Sequence, residues 1–200
     1  MEGRSHLLIG LTAGVVFDHF AHLSGAPLTA TGGTVTLALL VNKAVYYSAV
    51  GFGALLPDID NARSTLGQKF GWVSKTIQGL AGHRTVFHSL LGLAVGCLLA
   101  IGLEQVVIYL LSLQGYTAPA HVVGFSHLVF FGILFGCVMH LFCDALTYGG
   151  IPLFWPLKKR FGIPMENDWR FRTGTWPEHL IVWSFMIMVV FCIWKALIII

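Results

Sequence analysis

Charge is what this sequence has least of. Asp, Glu, Lys and Arg make up 10% of its 200 residues, against about 25% in a typical soluble domain. That scarcity argues against a water-soluble domain. With 56% hydrophobic residues, it points to an integral membrane protein forming one unit over residues 1–200. The formal net charge of +3 is too small and too dispersed for a nucleic-acid surface, so no nucleic-acid partner is expected. Cysteine is scarce as well. Cys97, Cys137, Cys143 and Cys192 lie in apolar runs without CxxC spacing, so neither a zinc knuckle nor a disulfide framework is suggested. No internal repeat or low-complexity stretch is present.

What is present is lipid-compatible helix. A hydrocarbon core about 30 Å thick needs about 20 residues of helix to cross it. Five segments meet that length, at about 6–23, 35–57, 86–113, 125–147 and 179–199. The expected fold is therefore an all-α bundle of about five transmembrane helices. Gly10/Gly14, Gly92/Gly96 and Gly132/Gly136 are GxxxG pairs and predict close helix contacts. The first segment could be read as a secretory signal peptide, but Asp18, His19 and His22 interrupt its apolar run. The stretch "STLGQKFGWVSKTIQGLA", residues 64–81, has the pattern of an amphipathic helix lying along the interface.

The connections differ sharply in charge. "SGAPLTATGGT" and "QGYTAPAH" carry none, whereas the 58–85 and 148–178 connections, with Arg4, hold ten of the twelve basic residues. The positive-inside rule places those connections in the cytoplasm, with the N-terminus inside and the C-terminus outside. Lys43, Glu104 and Lys195 fall near the opposite interface, where Glu104 is expected to pair with a lysine.

The nine histidines equal the sum of Asp and Glu, an unusual ratio where polar residues are so few. On the predicted topology, His6, Asp58, Asp60, His83, Arg84, His88, His140, Asp144, Glu178 and His179 all fall at the cytoplasmic ends of the five segments. Lipid solvation alone does not require that convergence; a shared site does. His140 and Asp144 are spaced i, i+4 and share a helix face. His83 and His88 are turned about 140° apart on an ideal helix, so they converge only with His83 in the preceding turn. Asp58 and Asp60 follow Pro57 at a helix end, where a kink can aim both carboxylates one way. Imidazoles with carboxylates suit zinc, with manganese or iron as alternatives, in one or more metal sites. Arg84 can clamp a phosphate or carboxylate, and Thr85 or Thr147 can donate hydrogen bonds to it.

"LLPDIDNARSTLGQKF", "GHRTVFHSLLG" and "HLFCDALTYGGIPLFWPLKKRFGIP" resemble the YdjM/YbcI-like family of bacterial inner-membrane proteins, described as membrane-bound metal-dependent hydrolases. The resemblance runs from His6 to about Pro164. That family is grouped distantly with zinc-dependent phospholipases C and related nucleases, in which an early His, a bridging Asp and HxxxD/E pairs hold clustered zinc ions. This chain has one plain HxxxD pair where those enzymes have two. The resemblance implies His6, Asp58, Asp60, His83, His88, His140 and Asp144 as metal ligands. The expected function is hydrolysis of a phosphoester, such as a phospholipid headgroup, by metal-activated water at the cytoplasmic face of a bacterial inner membrane. In it Asp58, Asp60, Arg84 and Thr85 are the catalytic candidates, and Arg84, Thr147 and Trp155 the substrate-binding ones. Membrane lipids are the expected partners. The competing expectation is a non-catalytic membrane protein with a structural metal or a lipid-headgroup site. A transporter fits less well, because its ionisable groups belong near the midplane.

Overall fold

The computed structural model describes residues 1–25, 35–81, 85–116 and 120–198. The chain is all-helical there, and its only β pairing among these residues is two isolated bridges, Thr147 with Phe171 and Ile151 with Phe161. The five apolar segments form α1 (Gly3–Ala21), α2 (Leu37–Leu55), α5 (Leu90–Leu113), α6 (Ala120–Ala145) and α7 (Trp176–Ile198). Two short helices, α3 (Thr65–Lys69) and α4 (Gly71–Ala81), occupy the amphipathic stretch. Trp72 and Leu80 stand out from α4, largely exposed, as an interfacial helix requires.

Among the described residues, three helices are long and apolar enough to cross a membrane: Leu37–Asp60, Leu90–Leu113 and Val123–Ala145. The described apolar part of α7, Trp176–Cys192, is shorter. In α1 the polar side chains of Arg4, Ser5, His6, Asp18 and His19 dilute the apolar run.

Local chemistry sets the ends of these helices. His22 closes α1 with a φ of 54°, its N–H donating to the Asp18 carbonyl at 2.8 Å. Thr36 caps α2 by accepting from Leu39 N. At its far end α2 tightens into a 3-10 turn, Leu56–Asp60, where Pro57 has no N–H to give. Ser89 caps α5, accepting from Gly92 N at 3.0 Å and donating to the Val86 carbonyl at 2.6 Å.

The bundle is built on close backbone approach. A methyl group on Gly136 of α6 would lie 2.2 Å from the Val50 carbonyl oxygen of α2, and one on Gly53 would lie 2.2 Å from that of Ile133. Gly132 meets Ala49 and Tyr46 in the same seam, while Gly10 and Gly14 admit Ala54 and Val50 of α2 to α1. Two of the three GxxxG pairs therefore do what their spacing predicts. Gly92/Gly96 does not. Gly92 makes room for the Val86 carbonyl of the turn before its own helix, and among the described residues nothing beyond its own turn lies within 4 Å of a methyl group placed on Gly96. None of the residues of α5 is buried.

The other polar expectations are redistributed. Lys43 Nζ bonds Asp18 Oδ2 at 3.1 Å and Ser24 Oγ at 3.1 Å, while the Tyr47 hydroxyl donates to the same carboxylate at 3.0 Å. Among the described residues Glu104 meets Ser126, whose Oγ donates to its carboxylate, and His127, whose Nε2 lies 3.9 Å away; the Lys195 side chain lies outside the described residues. Arg170 organises the 148–178 connection, its buried guanidinium lying against Gly150 and Gly162.

Two stability measurements follow from this packing. Gly136→Ala is expected to cost about 1–3 kcal/mol through overpacking, whereas Gly96→Ala leaves the thermal midpoint unchanged or raised, alanine being the better helix former by about 0.8–1 kcal/mol. Melting both variants in detergent reads the contrast. Lys43→Met is expected to destabilise the fold by about 3 kcal/mol, because it leaves the Asp18 carboxylate buried without its cation. Adding Asp18→Asn to the same chain should recover most of that loss in a denaturant titration.

Candidate metal centre

Four elements deliver the polar groups that converge at one end of the bundle. His6 comes from the second turn of α1, Asp58 and Asp60 from the 3-10 turn, His88 from a second 3-10 turn (Val86–His88), and His140 with Asp144 from the last turns of α6. His6, Asp60, His88, His140 and Asp144 are buried to 1% exposure or less. Asp58 retains 13% side-chain exposure and is the point at which the cluster reaches the surface.

Two imidazole nitrogens, on His88 and His140, each face the carboxylates of Asp58 and Asp144, and Asp58, His88 and His140 form a triad with mutual separations under 4.8 Å. His88 Nε2 lies 3.7 Å from Asp58 Oδ1, 3.6 Å from Asp144 Oδ2 and 3.2 Å from His140 Nε2. His140 Nε2 lies 3.8 Å from Asp58 Oδ1 and 4.0 Å from Asp144 Oδ2. Ligand atoms set tetrahedrally about a zinc ion at its usual 2.0–2.2 Å stand roughly 3.3–3.5 Å apart. These side chains need close by only a few tenths of an ångström to match, so the donor set fits a divalent metal. His6, His140 and Asp144 make a second, overlapping triad with mutual separations under 4.8 Å. There His6 Nε2 stands 3.3 Å from Asp144 Oδ1, and its ring stacks on that of His140 at 3.8 Å between centroids. The Met1 ammonium also bonds Asp144 Oδ1.

The surrounding groups orient the rings. His140 Nδ1 lies 2.7 Å from the Ala54 carbonyl oxygen. A carbonyl only accepts, so Nδ1 carries the hydrogen and Nε2 faces the cluster. His88 Nδ1 lies 3.3 Å from Asp60 Oδ2, the carboxylate–histidine arrangement typical of metal sites. Burial alone would push the His88 imidazole down, but the neighbouring Asp58, Asp60 and Asp144 carboxylates raise its pKa to about 9.

The expected residues therefore take several positions. Asp58 and Asp60 do not point the same way: at three residues per 3-10 turn, positions two apart differ by about 120°, and the two carboxylates address opposite nitrogens of His88. Thr85 opens the second turn, its carbonyl accepting from His88 N at 3.3 Å. Thr147 is buried with its hydroxyl committed to the Asp144 carbonyl at 2.8 Å. Trp155 is half-buried in the 148–178 connection, and no described contact joins it to the cluster. His83 and Arg84 lie outside the described residues. Sequence reasoning gave Glu178 little weight, yet it is fully buried and latches the start of α7 to that of α1, accepting from Glu2 N at 2.8 Å and Gly174 N at 2.9 Å. Its place just after Pro177, opening an apolar helix, was the available signal.

Residues 1–199 match the family model described as YdjM inner membrane protein. The inner membrane proteins YdjM of Escherichia coli (strain K12) and Shigella flexneri are each 40% identical to this chain over 111 residues, 56% of its length. The chain spans 49% of the length of those two relatives. A Bacillus subtilis (strain 168) protein, named uncharacterized protein YvsG, is 25% identical over 182 residues, 91% of this chain and 88% of its own. No solved structure matches the chain. With a family match from end to end, lipid-compatible helices and the PDxD, HS and HxxxD residues gathered in one cluster, this chain belongs to the YdjM family of inner membrane proteins.

Proposed function

We propose that this protein is a membrane-bound, metal-dependent hydrolase acting on a phosphoester such as a phospholipid headgroup, with its site at the cytoplasmic face. The observation that supports this most is that His88 Nε2 and His140 Nε2 stand 3.2 Å apart and each lies 3.6–4.0 Å from Asp58 Oδ1 and Asp144 Oδ2. On this reading those four residues hold the metal. When bound, it supplies Lewis acidity toward a phosphoryl oxygen and makes water a nucleophile near neutral pH. Asp60 fixes the His88 ring through Nδ1, and the Ala54 carbonyl fixes His140 through its own Nδ1. Asp58, partly exposed, is the carboxylate in reach of a substrate and the candidate to accept the proton of the attacking water. Arg84 enters from sequence alone, as the cation placed four residues before His88 to receive a phosphate. The charge asymmetry of the connections supports the cytoplasmic placement.

A second reading has an observation in its favour. Apart from Asp58 the donors are enclosed, and they come from α1, α6 and both 3-10 turns, so a metal there would staple the helix ends together.

Metal analysis of the purified protein, with a phospholipase and phosphodiesterase screen, separates the two. His140→Ala and Asp144→Ala should empty the site, while Asp60→Asn weakens metal binding by about 10–100-fold through loss of the ring's orientation. Asp58→Asn should lower turnover by about 10²–10⁴-fold. Metal bound stoichiometrically with no hydrolysis across a broad lipid panel establishes the staple reading. Wild-type metal content in both His140→Ala and Asp144→Ala overturns the site. Metal uptake should also depend on pH in a defined direction. Without metal, His88 stays protonated well above its ordinary 6.5, up to about 9. Metal must displace that proton, so affinity rises with pH through that window and levels off above it. Titration calorimetry in buffers of different ionisation enthalpy reads the released proton.

A further inference from the structure

Beside the cluster runs an apolar cleft lined at one end by chain neighbours of the cluster residues. Between α5 and α6 lies a cavity of 690 Å³, within the range of small-molecule sites at about 300–1,000 Å³. At the cluster end it is lined by Pro57, Ile59, Phe87 and Cys137. Pro57 and Ile59 flank Asp58, Phe87 precedes His88, and Cys137 sits three residues before His140, so one end of the cleft and the metal centre share a wall. From there it follows α5 from Gly92 to Leu111, about 28 Å at 1.5 Å per residue, close to the thickness of a bilayer's hydrocarbon core at about 30 Å. Only two lining side chains are polar apart from thiols, Glu104 and Ser126, and they bond each other about 18 Å along α5 from Gly92.

We propose that this cleft holds the acyl chain of a membrane phospholipid whose phosphate group lies at the His/Asp cluster. The inference rests on the hydrolase reading for what happens to that phosphate, and on the cleft itself for where the chain goes. Polar solutes would lose hydrogen bonds along an apolar wall of this length. A hydrocarbon chain has no hydrogen bonds to lose there, and extended it matches a groove of this length. The division of polarity matches an amphiphile, with His and Asp side chains at one end and beyond them a channel that is apolar except for the bonded Glu104–Ser126 pair. Gly96 contributes to that space, because among the described residues nothing from outside its own turn lies within 4 Å of where its side chain would be.

The test uses the full chain in nanodiscs with phosphatidylglycerol carrying a diazirine at a defined acyl carbon, and labelled peptides mapped by mass spectrometry. A diazirine near the glycerol is expected to label residues 56–59 and 85–92, and one near the chain end to label 96–111 and 123–134. Gly96→Leu should weaken the distal labelling about tenfold, the loss expected when roughly two methylenes are displaced, and leave labelling of α7 unchanged. Ala100→Phe, further along the same wall, is the second variant and should act alike. Labelling spread evenly over the outward faces of α5, α6 and α7, indifferent to both substitutions, overturns the proposal, as does a reversed order of carbons along the cleft. Labelling needs no turnover, which keeps the two readings apart. Ordered labelling without hydrolysis supports the cleft and removes the hydrolase, whereas hydrolysis at the same rate for dihexanoyl and dioleoyl substrates, without ordered labelling, removes the cleft.

Discussion

The close seam between α2 and α6 is the constraint on which the rest of this structure depends. Gly53, Gly132 and Gly136 let the two backbones meet with no side chain between them. That contact brings the Ala54 carbonyl to 2.7 Å from His140 Nδ1, so a backbone atom of α2 sets the orientation of a ring on α6. It also fixes where the 3-10 turn leaves α2, and so where Asp58 and Asp60 arrive relative to His140 and Asp144. A helix pair held 1 Å further apart by larger residues would still be a helix pair. It would no longer hold these donors at their present spacing.

Burial in a chain this apolar forces polar groups to find partners, and the two ends of the α1–α2 pair solve the problem differently. At one end, Asp18, Ser24, Lys43 and Tyr47 form a closed set in which a cation and hydroxyl donors surround one carboxylate. Nothing further is required there, and its role is to hold the helices. At the other end two imidazole nitrogens face each other at 3.2 Å, and His6 Nδ1 meets no hydrogen-bond partner among the described residues. Donors that converge on a point are costly to bury for stability alone. That contrast favours a ligand-binding role for the second end.

Much of this was legible in the sequence, and what escaped has physical reasons. His140 and Asp144 could be paired from their spacing because a helix fixes the angle between i and i+4. Asp58 and Asp60 could be chosen by residue type, but their directions depended on a 3-10 turn that Pro57 allows without demanding. Identical GxxxG spacing in α5 and α6 gave opposite outcomes, since the motif says how close a neighbour can come and not whether one is there. The Lys43–Asp18 pair was within reach, both residues lying toward the same end of adjacent antiparallel segments. The Ala54 carbonyl was not, because every residue has one.

The least supported helix is the one that completes both features of interest. None of the residues of α5 is buried, and it stands off from α6 along most of its length. Its anchorage is at its start, where His88 lies against Asp60, Asp58 and Asp144, and Leu90 N donates to the Leu153 carbonyl at 2.9 Å. A ligand drawing His88 toward Asp58, His140 and Asp144 would therefore set the position of α5 and the width of the cleft beside it. Whatever fills the cleft acts on His88 through the same short connection. Site and cleft are thus mechanically one unit, with Phe87 on the wall of one and His88 in the shell of the other.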